Sequence, residues 1–395
     1  MRVLCTINGT PSHARKFVPL ARALVNAGHQ VRVVTSPTLA GTLRGEPFAI
    51  DAVLPNPLEW MWFGAATPID PTELINKAFG ARGWRELFVQ GLDIGRDYRP
   101  DLVLRDDNDC VGYIVAEALG IPHVAMSGGP TTLFDPERLA DPLAAHGPKF
   151  GLGTSGHGLY GYGRVDYVPA AYSFTKHEWP LVYRFRQPLL VRPGERLPDW
   201  IAALPADRPL VLATVGTGIP MLADRLHSGA PMPDAIDPRA RVRLILDALS
   251  QVDCVAVVAT GGIEADDLRR AGHVHVTDFV PQPLVLEIAD LFLTHGGYNG
   301  IREALRGGVP MVMDALGIHD GPHNAARVGD LGLGIALTNP NADELAKACE
   351  TVLGDRTFHD RARQARKHVL ALPGIETAPA LLERLVRGEG DADSA

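Results

Sequence analysis

Cysteine is nearly absent: four in 395 residues, Cys5, Cys110, Cys254 and Cys349, far apart and with no C-x-x-C pair among them. That spacing excludes a thiolate zinc site or a redox pair and reads as buried thiols in a reducing compartment. No extended basic run occurs and the formal net charge is −8, so a nucleic-acid surface is not the main binding feature. Arg2 to Ile7 leads straight into a strand-like run, with no apolar stretch long enough for a signal peptide or a membrane span. A cytoplasmic chain without stable membrane insertion is expected. At 46% hydrophobic and 21% charged residues, the composition also excludes disordered and fibrous classes.

What is present is length and alternation. A chain of 395 residues is about twice the usual single-domain size, so two domains are expected. Apolar strand-like runs alternate with helix-like segments, the pattern of parallel sheets covered on both faces, and this predicts an α/β fold. In the first half the strands are Val3 to Ile7, Gln30 to Thr35, Asp101 to Leu104 and His123 to Met126, with helices Phe17 to Ala27 and Gly112 to Leu119 between them. From Asp135 to about Pro205 the sequence turns rich in Gly, Pro and aromatics, and Arg192 to Pro198 reads as a linker. Alternation restarts at Pro209 and continues through Cys254 to Thr260, Val274 to Thr277, Leu291 to Thr294 and Pro310 to Met313. The expected division is 1–200, 205–372, a helix over 373–388 packing back on the first domain, and a disordered tail at 389–395. Two facing sheets place a substrate site in the cleft between them, beyond the carboxyl ends of the strands.

After the strand ending at Thr294 comes His295-Gly296-Gly297, then a helix over Tyr298 to Arg306 ended by Gly307-Gly308. Glycines let an anion approach the backbone, and a helix N-terminus offers unpaired N–H groups. A tight turn with no ligand is the plain alternative for the glycine pair alone. Glu303 stands eight residues beyond His295, about two helical turns on, where a carboxylate accepts hydrogen bonds from a ribose. Phe279-Val280-Pro281-Gln282 offers a ring for a base and an amide for the sugar, and Asp320-Gly321-Pro322-His323-Asn324-Ala325 follows downstream.

In that order these segments resemble the GT-B glycosyltransferases of the UDP-glycosyltransferase family, above all the bacterial ones that decorate natural products. The family pattern is aromatic-x-Pro-Gln, His-x-Gly with Glu eight residues on, Gly-x-Pro, then Asp-Gln-x-x-Asn-Ala. The resemblance implies two facing Rossmann-like doubly wound domains, with Phe279 on the base and Gln282 and Glu303 on the ribose. It places His295, Gly296, Gly297 and the Gly216-Thr217 turn on the pyrophosphate, with Val280 and Asn299 in the same donor set. Two positions depart from the family. Gly300 stands where Ser or Thr is usual, leaving a backbone N–H alone for the phosphate. Asp320-Gly321 replaces the Asp-Gln pair that grips hexose hydroxyls. Loss of an amide that needs a hydroxyl partner suits a deoxygenated sugar, since an unpaired buried polar group costs about 1–3 kcal/mol.

The loop after the first strand, Asn8-Gly9-Thr10-Pro11-Ser12-His13, is similar to the family's Gly-His-x-x-Pro segment, whose His is the general base. An imidazole with an ordinary pKa near 6.5 suits proton abstraction at neutral pH. A carboxylate at its other nitrogen stabilises the imidazolium, and Asp106 or the adjacent Asp107 stands where the family keeps that partner. A helix N-cap is the alternative role for Asp106. Trp60, Trp62 and Phe63, with Tyr160 and Tyr162, suit a pocket for a large apolar aglycone, and a core-clamping loop accounts for them equally well.

Asp107-Asn108-Asp109 matches a metal-binding Asp-x-Asp by spacing, His319 and His323 are separated by Gly and Pro, and Gly151-x-Gly153-x-x-Gly156 follows no strand. None is read as a site, and no metal is expected. The expected reaction is inverting transfer of a hexose or deoxyhexose from a UDP- or dTDP-sugar, as co-substrate with no further cofactor, to a hydroxyl of a lipophilic small molecule. A monomer or homodimer is expected. The rivals are a nucleotide-sugar 2-epimerase, a lipid glycosyltransferase, and a non-catalytic auxiliary protein of the same fold.

Overall fold

The computed structural model describes residues 1–54, 84–107, 109–137, 158–192, 194–216, 237–315 and 320–389. The chain forms two compact units, one of residues 1–168, 175–188 and 372–395, the other of residues 169–174 and 189–371.

The first unit is built on seven strands: β1 (Arg2–Thr6), β2 (Gln30–Thr35), β3 (Ala49–Ala52), β4 (Leu102–Asp106), β5 (His123–Met126), β6 (Arg164–Asp166) and β7 (Val182–Arg184). Their order is β3-β2-β1-β4-β5-β6-β7, every pair parallel, with Val3 registered against Val31 on one side and Leu102 on the other. All five residues of β4 are buried, which is why the run reads as continuous rather than alternating. Helix α1 (Pro11–Asn26) follows β1, α2 (Trp84–Tyr98) precedes β4, and α3 (Cys110–Leu119) follows it. Asp109 caps α3 by accepting from the Val111 and Gly112 amides, and Gly120 ends it in the left-handed region at φ 65°. Leu4, Phe88, Val103, Ile114 and Ala125 join in the core beneath these helices.

The second unit repeats the plan with β8 (Leu210–Thr214), β9 (Val255–Ala259), β10 (Val274–Thr277), β11 (Leu291–Thr294), β12 (Met311–Ala315) and β13 (Gly334–Thr338). The order is β10-β9-β8-β11-β12-β13, again all parallel. Its helices are α4 (Pro238–Leu249), α5 (Tyr298–Gly307), α6 (Gly321–Asp330), α7 (Ala342–Gly354) and α8 (Arg356–Ala371). Asn341 and Glu344 form a reciprocal capping box at the start of α7. Val211, Leu246, Val258, Leu293 and Val352 meet in the core. The last helix, α9 (Ala378–Val386), returns to the first unit and packs on α1, where Glu383 Oε1 lies 3.0 Å from His29 Nε2.

In both sheets the chain adds strands in one direction from the first strand and then reverses, so β1 neighbours β4 and β8 neighbours β11. The helices leaving such a pair diverge to opposite faces and open a crevice at the carboxyl ends, which is where ligands of open α/β sheets bind. Both sets of candidate site residues fall there. Within the described residues, no helix is long and apolar enough to cross a membrane.

Candidate active site

At the β1/β4 crevice, α1 begins at Pro11 rather than at Phe17, because proline suits a first helical turn whose N–H groups have no partner. His13 therefore rides the first turn of the helix instead of a loop. Its Nδ1 lies 2.6 Å from Asp106 Oδ2, with the His13 side chain 13% exposed and that of Asp106 fully buried. Gly9, at φ 116°, backs the ring: an added Cβ would stand 2.8 Å from His13 Cγ. Burial alone would raise the Asp106 pKa. The charges of His13 and Lys16, with their hydrogen bonds, outweigh that and hold the carboxyl well below the usual carboxylate range. An ionised carboxylate can only accept, so Nδ1 donates and Nε2 keeps the lone pair for an incoming proton.

The structure separates the three neighbouring acids. Asp106 takes His13, and Asp109 is the N-cap of α3, with Thr6 Oγ1 donating to its Oδ2 at 2.6 Å. Asp107 accepts from the Gly128 amide at 2.7 Å and from Thr131 Oγ1. Lys16 was not legible as part of this cluster. Its Nζ, buried with the side chain 2% exposed, donates to Asp106 Oδ1 at 2.8 Å. The available signal was its position three residues after His13, on the same face of a helix. Tyr160 is a core side chain, its hydroxyl bonded to the Asp107 carbonyl at 2.8 Å and its ring edge-on to Trp179, so it walls no pocket. Trp60, Trp62 and Phe63 lie outside the described residues, as do Asn108, His319 and the Gly151 to Gly156 segment.

At the β8/β11 crevice, β11 ends at Thr294 and α5 starts at Tyr298, with Gly297 at the N-cap and no side chain capping the helix. A helix start of this kind, with its positive dipole end, suits an anion. Gly216, at φ 78°, and Gly297 enclose the imidazole of His295: an added Cβ would lie 2.1 Å from Cε1 at the first and 2.6 Å from Nε2 at the second. No larger residue fits either position without moving the ring. His295 Nδ1 has no hydrogen-bond partner among the described residues, and desolvation, reinforced by the Arg241 charge, pushes the group down to about 4. The ring is thus neutral at pH 7. Arg241 on α4 is itself buried and paired with Asp314 at the end of β12, neither of which motif reading singled out. Thr217 lies outside the described residues.

Gln282 Nε2 donates to Glu303 Oε2 at 2.5 Å, so the amide and the carboxylate, 21 residues apart, form one polar unit beside α5. Phe279 follows the end of β10 and is 69% exposed, an unusual position for a ring unless something covers it. Val280 beside it is half-buried, and Asn299 accepts from Arg302 within α5. Gly300 is packed: an added Cβ would lie 3.2 Å from Phe292 Cε1, so a serine there requires the ring to give by a few tenths of an ångström. At the start of α6, Asp320 accepts from Asn324 Nδ2 at 2.6 Å, and the same amide donates to the Gly296 carbonyl at 3.0 Å. Asn324 thereby ties the Asp320-Gly321 corner to the Gly296 turn. Among the described residues, no group of three or more His, Cys, Asp or Glu side chains is placed to hold a metal ion.

The same fold occurs in the crystal structure of glycosyltransferase VinC in complex with dTDP, with a TM-score of 0.76 over 98% of this chain and 100% of that one, at 23% identity. Two parallel sheets of Rossmann order in one chain make the GT-B fold, and the chain is a glycosyltransferase similar to enzymes of bacterial natural-product biosynthesis. Residues 243–383 match the C-terminal domain described as erythromycin biosynthesis protein CIII-like. Over 98% of its length the chain is 26% identical to 10-deoxymethynolide desosaminyltransferase of Streptomyces venezuelae, covering 97% of that protein. It is equally 26% identical to aclacinomycin-T 2-deoxy-L-fucose transferase of Streptomyces galilaeus, covering 96%.

The exposure of Phe279 separates binding from stability. Phe279→Ala is expected to weaken dTDP or UDP binding by roughly tenfold, the scale of one lost base stack, with no change in thermal midpoint; unchanged affinity in calorimetry removes the ring from the nucleotide site. His295 sets a pH dependence. Its pKa is about 4 when folded and about 6.5 in the unfolded chain, so between those values the unfolded state binds the extra proton and stability falls as the pH drops. Replacing His295 with Gln should flatten that part of the slope in urea titrations at pH 7 and pH 5, and an identical slope counts against a desolvated ring.

Proposed function

We propose that this enzyme transfers a deoxyhexose from a dTDP-sugar to a hydroxyl of a lipophilic small molecule, with inversion and with His13 as general base. The observation that carries the reading is the 2.6 Å contact between His13 Nδ1 and the buried, ionised Asp106 at the β1/β4 reversal. Nε2 takes the proton of the acceptor hydroxyl as its oxygen bonds to the anomeric carbon, and the bond from that carbon to the β-phosphate oxygen breaks. Asp106 stabilises the imidazolium and takes no proton. A single displacement needs no enzyme nucleophile and inverts the centre.

The departing diphosphate is received at the start of α5, which no side chain caps, and by His295, whose ring desolvation holds neutral. The Gln282–Glu303 unit holds the ribose and Phe279 the base; charge on the leaving group is met by these donors without a metal. dTDP is favoured over UDP by the likeness to a structure that binds dTDP. A deoxysugar is favoured by Gly321, which offers no amide to a sugar hydroxyl, and by the relative named for transfer of 2-deoxy-L-fucose.

His13→Ala should lower kcat by at least roughly a hundredfold while dTDP binds as before; near-normal turnover would sink the base assignment. Gly321→Gln should raise the kcat/KM for UDP-glucose relative to a dTDP-deoxysugar by about tenfold, one hydrogen bond's worth of discrimination. An unchanged ratio in competition assays argues against Gly321 as the selector.

A further inference from the structure

Lys16 is a buried charged group of the first unit that the transfer chemistry leaves unused, and it touches Asp106 directly. Its Nζ has three protons to place in an interior from which water is largely excluded, and desolvating an unpaired ammonium is costly. It donates to Asp106 Oδ1 at 2.8 Å and to the Met126 carbonyl at 2.8 Å, and lies 3.6 Å from Asp107 Oδ1. Tyr167 holds the backbone of the same residue, its hydroxyl donating to the Lys16 carbonyl at 3.2 Å. Gly128 closes the cluster: an added Cβ would stand 3.0 Å from Lys16 Nζ and 3.6 Å from His13 Cε1. Lys16 Nζ and the His13 imidazole therefore sit on the two oxygens of one carboxylate.

The remaining charges facing them come from β4 and β6. Arg105 donates from Nη1 to the Asp106 and Asp107 carbonyls, and Arg164 Nη2 lies 3.8 Å from Asp107 Oδ2. Asp109 is taken up by Thr6 and the α3 amides, and Asp166 accepts from Ser127 Oγ. Asp107 thus has Arg164 as well as Lys16 close by, whereas the side-chain carboxylate of Asp106 is shared by Lys16 and His13.

We propose that Lys16 is a positioning residue for His13: it occupies Oδ1 of Asp106, so that Oδ2 faces the imidazole, and its charge opposes protonation of that imidazole. The proposal rests on the reading of His13 as base. A carboxylate acting alone on an imidazole favours the imidazolium, and a base already protonated cannot take the acceptor's proton. With Lys16 on the other oxygen, Asp106 still fixes the tautomer through Nδ1, but its negative charge is largely spoken for before the reaction begins. Lysine also keeps Asp106 from rotating, since its Met126 contact anchors Nζ independently of the carboxylate.

Lys16→Gln keeps a donor for Asp106 and loses the charge; Lys16→Arg keeps both. Side-chain NMR of isotopically labelled histidine, with His13→Asn to assign the resonance, reads the His13 titration without any turnover. The expected result is that Lys16→Gln moves this titration to higher pH by about one unit, the lower end of what one nearby charge produces. The acid limb of kcat/KM is expected to move with it, while Lys16→Arg leaves both in place. A Lys16→Gln protein whose His13 titrates as in the wild type overturns the proposal. So does an upward move in Lys16→Arg, which decides the matter even if Lys16→Gln does not fold. If the NMR titration moves and the rate profile does not, the role of His13 as base is what fails, and the influence of Lys16 on the ring stands.

Discussion

A parallel sheet that winds first one way from its central strand and then the other leaves one pair of neighbouring strands whose following helices diverge. Everything functional in this chain hangs on that constraint, met twice. At β1/β4 the gap receives His13 from the first turn of α1 and Asp106 from the last residue of β4. At β8/β11 it receives the Gly216 backbone and the His295-Gly296-Gly297 turn. Side chains 93 residues apart in the first case come within hydrogen-bond distance because parallel register brings the ends of β1 and β4 level. No local interaction produces that proximity.

The two crevices handle charge in opposite ways. In the first unit, charged groups are packed together: Asp106 and Asp107 have Lys16, Arg105 and Arg164 around them, with the His13 ring on Asp106. Buried ions of this kind contribute little net stability because desolvation offsets attraction, and their value lies in fixing geometry. In the second unit the cradle is uncharged at its centre. Desolvation and Arg241 keep His295 neutral, Arg241 is engaged by Asp314, and α5 starts at Gly297 with no side-chain cap. A neutral ring beside an uncapped helix start is the environment the proposed diphosphate site needs, since fixed donors stabilise charge that develops on a leaving group.

The corner proposed to select the sugar is held by a smaller device. Asn324 spans from the Gly296 carbonyl to the Asp320 carboxylate, so the corner carrying Gly321 is tied to the diphosphate turn. On the proposed reading, selection at Gly321 rests on the same scaffold as the diphosphate site, through Asn324.

The alternation of strands and helices and the glycines after β11 were legible because they obey local rules: apolar runs make buried parallel strands, and glycines open a turn. Phe279, Gln282, His295 and Glu303 could be named from motif order. The start of α1 was not, since a proline at a first helical turn looks like a loop when read residue by residue. Nor could local pattern settle whether Asp106 or its neighbour Asp107 partners His13, with Asp109 two positions further on. Register made that choice: the last residue of β4 lies beside β1, the next turns toward Gly128 and Thr131, and the third caps α3. Lys16 and Arg241 escaped for the same reason. A basic residue on a helix is solvated by default, and burial against a particular carboxylate is a property of the assembled sheet and helices. The sequence by itself determined the class of fold and the order of the donor motifs; tertiary structure decided which acid lies against His13 and which cation shares that acid, because those choices depend on contacts between segments up to about ninety residues apart.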